Sequence, residues 1–202
     1  MKLDAKDVLP ADMQGWNFES PVFEDMVKKT QAKTVVEVGT WKGMSAIKFY
    51  KALEKHSSNF LLFCCDTWLG GIEHMDGMPY GGLFKKRYGY PELYFQFLSN
   101  LHHANCLENM IPIVNTSTNC ARYLKAKNVN ADLIYIDGSH EQPDVYFDCK
   151  FYWDILKPGA IMFGDDYNYG PVNADVIRFA NENKLKWHVD YGNYWVIEKP
   201  VN

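Results

Sequence analysis

Two short segments concentrate the side chains best suited to chemistry. They are Asp137-Gly138-Ser139-His140 and Asp165-Asp166-Tyr167, and each directly follows an apolar run typical of a buried strand. If both strands lie in one parallel sheet, three carboxylates and an imidazole converge at the same edge. Clustered carboxylates repel one another unless a cation neutralises them, and they suit hard divalent ions such as Mg²⁺. The segments therefore predict a divalent-metal site beside a histidine able to accept a proton.

Each of these residues also has a simpler structural interpretation. Asp137 can cap a helix that begins near Glu141, His140 can be a surface side chain, and Asp165 can bond backbone amides in the next loop. Each simple role is as plausible as the functional one when a residue is taken alone. The functional interpretation depends on all of them occurring together.

A glycine loop precedes this cluster in the chain. Glu37 and Gly39 end the first β-branched run, and Gly43 follows four residues later. Gly39 allows a tight turn and close approach of a ligand, whereas Trp41 and Met44 stand where a dinucleotide fingerprint needs glycine. The loop therefore predicts a nucleotide-like cofactor other than NAD, with candidate contacts at Glu37, Gly39, Thr40, Gly43 and Ser45.

Two further strand ends carry polar side chains. Asp66 can accept hydrogen bonds from ribose hydroxyls, although a carboxylate in this position also caps turns. Thr116 and Ser117 are candidates for contact with the base of the cofactor, but either can instead cap the helix that follows. Both alternatives remain open at the sequence level.

Regular alternation of strands and helices must position these residues. Hydrophobic periodicity predicts helices at 19–30, 44–53, 91–101, 119–127, 143–156 and 172–183. It predicts strands at 34–38, 60–65, 111–114, 132–136, 160–164, 186–189 and 194–197. The expected fold is α/β, a Rossmann-like three-layer sandwich whose mostly parallel seven-stranded sheet ends in a C-terminal antiparallel hairpin. Residues 1–202 are expected to form one domain, with a substrate-loop insertion at about 67–105.

Composition narrows the classes of partner. The chain has 202 residues, 47% of them hydrophobic, and a formal net charge of −4, which gives no overall attraction to nucleic acid or anionic membranes. The sequence shows no long apolar run and no apolar core at its start, so we expect a cytoplasmic protein. Its five cysteines form no CxxC pair and are expected to be reduced thiols. A homo-oligomer remains open.

The ordered motifs resemble a known family. VVEVGTWKGMSA, CCDTWLGG, DLIYIDGSH and LKPGAIMFGDDY, between about residues 34 and 167, resemble methyltransferase domain 24 of the class I S-adenosylmethionine-dependent methyltransferases. That resemblance implies S-adenosylmethionine as cofactor, with an acidic residue on its ribose. A further resemblance to metal-dependent macrolide-sugar O-methyltransferases implies that Asp137, Asp165 and Asp166 are metal ligands and that His140 is the general base. Asp137 would then contact the cofactor, bind the metal and take part in catalysis.

The resulting hypothesis is metal-assisted O-methylation of a small-molecule hydroxyl. The alternatives are a metal-dependent oxygenase or hydrolase on the same scaffold and a catalytically silent cofactor-binding module. Aromatic side chains of the insertion can either surround the acceptor or act in packing, and they are Trp68, His74, Tyr80, Phe84, Tyr88, Tyr90 and Tyr94.

Overall fold

A seven-stranded sheet forms the centre of the protein. The computed structural model describes residues 3–15 and 19–201. The sheet strands are β1 (Thr34–Val38), β2 (Leu61–Asp66), β5 (Met110–Val114), β6 (Ala131–Ile136), β7 (Leu156–Gly164), β8 (Trp187–Asp190) and β9 (Tyr194–Glu198). Two short strands, β3 (Lys86–Arg87) and β4 (Tyr90–Pro91), form a separate antiparallel ribbon.

Six α-helices cover the two faces of this sheet. They are α1 (Val22–Thr30), α2 (Met44–His56), α3 (Leu93–His103), α4 (Ser117–Ala126), α5 (Asp144–Trp153) and α6 (Gly170–Glu182), and 3₁₀ turns lie at Ala5–Asp7 and Ile72–His74. Alternate strand residues point to opposite faces, so Val35 packs with α1, α2 and α3 whereas Val36 packs with α4, α5 and α6. The predicted three-layer sandwich is confirmed.

The order of the strands fixes where a ligand can bind. The sheet runs β5-β2-β1-β6-β7-β9-β8, with β9 antiparallel to both β7 and β8. The first crossovers build outward from β1 on one side, and the chain then returns to place β6 on the other. Ligands of open α/β sheets bind beyond the carboxyl ends of the strands at such a reversal, and Gly39 after β1 and Asp137 after β6 lie at that edge of the sheet.

One predicted boundary is wrong. Lys157, Pro158 and Gly159 were expected to separate a helix from a strand beginning at residue 160, but α5 ends at Trp153 and β7 already begins at Leu156. Ala131 pairs with Leu156 while Leu133 pairs with Ile161, which leaves a bulge in β7. A bulge accommodates a proline and a glycine inside a strand, so these residues do not end the element here.

The segment between β2 and α3 lies outside the sheet layers. We call residues 67–92 the β2–α3 loop. The helix predicted near its end is α3, whose Leu93, Phe97 and Leu101 are buried in the core. Among residues 3–15 and 19–201, no helix is long and apolar enough to cross a membrane.

Candidate active site

The carboxyl ends of β1 and β6 approach each other closely at Gly39. Gly39 has a φ of 80°, and a Cβ atom there would lie 1.9 Å from the Asp137 carbonyl oxygen. The Asp137 amide donates to the Val38 carbonyl at 2.7 Å, which extends the strand pairing to the glycine loop. The sequence interpretation assigned this closeness to a ligand, but the backbone of the neighbouring strand end already requires glycine here.

The other loop glycine faces a helix. Gly43 has a φ of 89°, and a Cβ atom there would lie 2.8 Å from the Phe97 ring of α3. Its backbone conformation starts α2 immediately after the loop. Gly43 therefore permits close packing of the loop against α3, in addition to the turn it makes after β1.

Glu37 is fully buried beneath the glycine loop. Its carboxyl group accepts a hydrogen bond from the Ser45 hydroxyl, and the Cys64 thiol lies 3.7 Å from its other oxygen. Burial raises the pKa of Glu37 to about 8. Glu37 and Ser45 thus bind each other and tie the end of β1 to the start of α2.

Asp66 holds the backbone of the same loop. One oxygen accepts hydrogen bonds from the amides of Thr40 at 2.8 Å and Trp41 at 2.9 Å, and the other accepts from the Trp68 amide at 2.7 Å. The bond from Trp68 is the one that the turn-capping alternative expects, whereas the bonds from Thr40 and Trp41 hold the glycine loop. A carboxylate has further lone pairs, so the same side chain can also accept from a ribose hydroxyl.

The two candidates after β5 have local partners. Thr116 caps α4 by accepting a hydrogen bond from the Asn119 amide at 3.4 Å. The Ser117 hydroxyl donates to Asp148 of α5, which is buried. The capping alternative therefore describes Thr116, while Ser117 joins α4 to α5.

Asp137, His140 and Asp166 form the acidic cluster. One ligand atom from each lies within 4.8 Å of the others. His140 Nε2 is 3.5 Å from an Asp137 oxygen and 3.2 Å from an Asp166 oxygen. The contact with Asp137 raises the pKa of His140 to about 9, and burial raises the pKa of Asp166. Two carboxylates and one imidazole are a donor set that can hold a divalent cation.

Asp165 lies next to this group but is held differently. Its Oδ1 accepts hydrogen bonds from the Asp166 amide at 2.7 Å and from Asn193 Nδ2 at 2.8 Å. The backbone at Asp166 has a φ of 56°, a conformation that short polar residues tolerate and that turns the chain sharply after β7. The sequence predicted three carboxylates in one cluster, and the structure brings two of them together with the histidine.

Two residues of this site were not found from the sequence. The Tyr135 hydroxyl donates to Asp137 at 3.0 Å, and Asn193 bonds Asp165 and also reaches Asp166 at 3.4 Å. Asn193 lies between the last two predicted strands, 186–189 and 194–197, in the turn of the terminal hairpin. The predicted hairpin could have indicated Asn193, because a strand that pairs antiparallel with β7 begins where β7 ends, next to Asp165 and Asp166.

The aromatic residues of the β2–α3 loop divide into three groups. Trp68 is buried and packs against Phe97 and Tyr94, so it belongs to the core. His74 and Phe84 pack around the Trp41 ring of the glycine loop. By contrast, the exposed members of the predicted set are Tyr80, Tyr88 and Tyr90.

The sheet order with its terminal antiparallel hairpin is that of the Rossmann-like methyltransferase fold. The family model described as a methyltransferase domain, Methyltransf_24, matches residues 36–167. The chain belongs to this family. A search of curated proteins gives no match.

Solved methyltransferase structures share the fold. The O-methyltransferase TomG from Streptomyces achromogenes in complex with SAM is 15% identical, with coverage of 99% of this chain and 92% of that chain and a TM-score of 0.67. An O-methyltransferase from Bacillus cereus in complex with SAH is 15% identical over 96% of this chain and 86% of that chain, with a TM-score of 0.62. The calicheamicin methyltransferase CalS11 is 14% identical over 88% of this chain and 77% of that chain, with a TM-score of 0.66. At such low identity these likenesses establish the fold alone.

Proposed function

We propose that this protein transfers the methyl group of S-adenosylmethionine to a hydroxyl oxygen of a small molecule. The observation that carries the proposal is the cluster of Asp137, His140 and Asp166 at the strand edge that also holds the glycine loop. A proton acceptor and two carboxylates beside the cofactor loop suit deprotonation of a hydroxyl. The names of the similar structures, which are O-methyltransferases, point the same way.

The glycine loop fits S-adenosylmethionine. Gly39 and Gly43 keep side chains out of the turn, while Asp66 fixes the backbone of Thr40 and Trp41. We assign the amino-acid end of the cofactor to this loop and its ribose to Asp66. S-Adenosylmethionine, when bound, supplies an electrophilic methyl group. The loop contributes proximity and orientation, which are large terms in a bimolecular displacement.

The acidic cluster fits a divalent cation. Asp137 and Asp166 provide hard oxygen donors, and Asp165 precedes Asp166 directly after the end of β7. A divalent cation held by Asp137 and Asp166 would lower the pKa of a hydroxyl that it contacts. We therefore assign Mg²⁺ to Asp137 and Asp166, with Asp165 as the additional ligand if its bond to Asn193 is exchanged.

His140 is assigned as the proton acceptor. The contacts with Asp137 and Asp166 hold the pKa of His140 at about 9, so the imidazole is protonated at neutral pH as their ion-pair partner. A protonated imidazole cannot accept a proton. Positive charge placed on the two carboxylates would weaken that pairing and favour the neutral ring, so metal binding and base function are linked.

The experiment combines calorimetry with a transfer assay. S-Adenosylhomocysteine should bind saturably to the purified protein, whereas NAD should not. Labelled S-adenosylmethionine is then offered with a panel of phenols, catechols and sugars, with Mg²⁺ or with chelator. We expect transfer to at least one acceptor, and its loss on chelation.

Substitution tests the base separately. His140→Ala should abolish transfer while leaving the affinity for S-adenosylhomocysteine within about threefold of wild type, since the ring acts on the acceptor. The matched control is His188→Ala, because His188 is exposed on β8 and lies 3.8 Å from its own carboxylate partner, Asp190. Wild-type turnover in His140→Ala would remove His140 as the base, and absence of cofactor binding would refute the proposed function.

A further inference from the structure

Two consecutive residues of the glycine loop hold two separate covering segments. One segment is the β2–α3 loop. The other, which we call the strap, comprises residues 9–15 and crosses α3 near the start of the described chain. Trp41 and Lys42 each contact both segments, although strap and loop are far apart in sequence.

Lys42 makes its contacts through a buried ammonium group. Its side chain is 2% exposed, and Nζ donates to an Asp12 carboxylate oxygen of the strap at 2.7 Å and to the Leu83 carbonyl of the β2–α3 loop at 2.6 Å. A buried ammonium group is costly unless its donors are paired. Displacement of either covering segment therefore leaves Lys42 under-bonded and weakens the attachment of the other.

Trp41 repeats this arrangement one residue earlier. Its indole Nε1 donates to Gln14 of the strap at 2.9 Å. The centroid of its ring lies 4.2 Å from that of the His74 ring and 5.7 Å from that of the Phe84 ring, and both partners belong to the β2–α3 loop. The Trp41 carbonyl also accepts from the Trp68 indole at 2.9 Å.

The backbone beneath these side chains belongs to the cofactor site. Asp66 fixes the Trp41 amide, and Asn100 of α3 donates to the Lys42 carbonyl at 2.8 Å. Asn100 also bonds the strap, because its Oδ1 accepts from the Asp12 amide at 3.0 Å. A ligand that restrains the glycine loop therefore also restrains the residues to which the strap and the β2–α3 loop are attached.

We propose that Trp41 and Lys42 are positioning residues that couple occupation of the cofactor site to closure of the strap and the β2–α3 loop. Cofactor binding would then order the walls of the acceptor pocket before the acceptor enters. Such coupling is reciprocal, so loosening either cover weakens cofactor binding. The proposal rests on the cofactor assignment made above.

Limited trypsin digestion measures this closure directly. The β2–α3 loop carries consecutive cleavage sites at Lys85, Lys86 and Arg87, and cleavage there requires local opening. In wild type we expect saturating S-adenosylhomocysteine to slow cleavage after these residues about tenfold. The fragments are identified by mass spectrometry.

Asp12→Asn is the decisive variant. Asp12 is 44% exposed, and asparagine keeps the shape of its side chain while it removes the negative charge opposite Lys42 Nζ. The Asp12 side chain also accepts a hydrogen bond from the Gln14 amide within the strap, at 3.3 Å. We expect the variant to lose most of the ligand-induced protection at residues 85–87 and about threefold or more in affinity for S-adenosylhomocysteine. Lys42→Met should lose both more completely. The controls are Asp154→Asn and Lys48→Met, two exposed positions away from strap and loop.

The outcomes separate the coupling from the cofactor assignment. If Asp12→Asn folds, binds S-adenosylhomocysteine and keeps wild-type protection at residues 85–87, the coupling is refuted. Ligand binding by wild type without any protection of the loop refutes it as well. Failure of wild type to bind S-adenosylhomocysteine would instead refute the cofactor assignment, and the coupling with it.

Discussion

Asp148 offers a sharp test of the electrostatic reasoning. It lies on α5, is 5% exposed, and accepts a hydrogen bond from Ser117. Burial raises the pKa of Asp148 to about 7 from an ordinary value of 3.8. Asp148→Asn keeps the shape of the side chain and an oxygen that can accept from Ser117, but it removes the ionisation.

The sign of the effect follows from proton binding. The folded protein holds the Asp148 proton more tightly than the unfolded chain, so the stability contributed by this group is lost as the pH rises toward 7. With these two pKa values, the free energy of unfolding falls by about 3 kcal/mol between pH 5 and pH 8 because of Asp148 alone. The free energy of unfolding of Asp148→Asn should therefore gain about 3 kcal/mol relative to that of wild type over the same interval.

Urea unfolding at pH 5, 6, 7 and 8 measures this difference. Wild type and Asp148→Asn are followed by circular dichroism, and their difference in free energy of unfolding is plotted against pH. Other titrating groups, such as Glu37, are common to both proteins and cancel. A difference that stays constant across the four pH values would show that Asp148 is not desolvated as the structure indicates.

Three further substitutions test the site. Gly39→Ala places a Cβ atom against the Asp137 carbonyl, so we expect a loss of about 3 kcal/mol in the free energy of unfolding and no measurable S-adenosylhomocysteine binding; near-wild-type melting would contradict the close approach. Asp166→Asn should raise the Mg²⁺ concentration for half-maximal transfer about tenfold or more, and an unchanged metal titration would exclude Asp166 as a ligand. Tyr135→Phe removes the donor to Asp137 and should lower turnover at constant cofactor affinity, with a loss of about 1 kcal/mol in stability by thermal unfolding; unchanged turnover would make Tyr135 purely structural.

The strand ends were predictable because the hydrophobic pattern marks where each buried strand stops. Asp137 and His140 follow β6, and Asp166 follows β7, so a parallel sheet brings them together by topology alone. The glycine loop was visible for the same reason. The fold was therefore predictable from the hydrophobic periodicity and from the residues that end each element, without knowledge of individual contacts.

What the sequence could not predict depends on bonds between distant segments. A serine after β5 looks the same whether it faces a ligand or Asp148, which lies 31 residues further on. The sequence around Asp66 likewise does not predict its hydrogen bonds to the amides of Thr40 and Trp41, because these residues lie in a different loop. The β7 bulge was missed because proline and glycine mark helix ends more often than strand interiors, and only pairing with β6 distinguishes the two cases.

The five cysteines have a practical consequence for following how the protein opens. All are free and buried; Cys64 and Cys106 lie in the layer of α1, α2 and α3, whereas Cys65, Cys120 and Cys149 lie in the layer of α4, α5 and α6. A thiol-alkylating reagent therefore reacts with each layer only when that layer is exposed. The order in which the five sites are labelled would report whether the two sides of the sheet open together or one before the other.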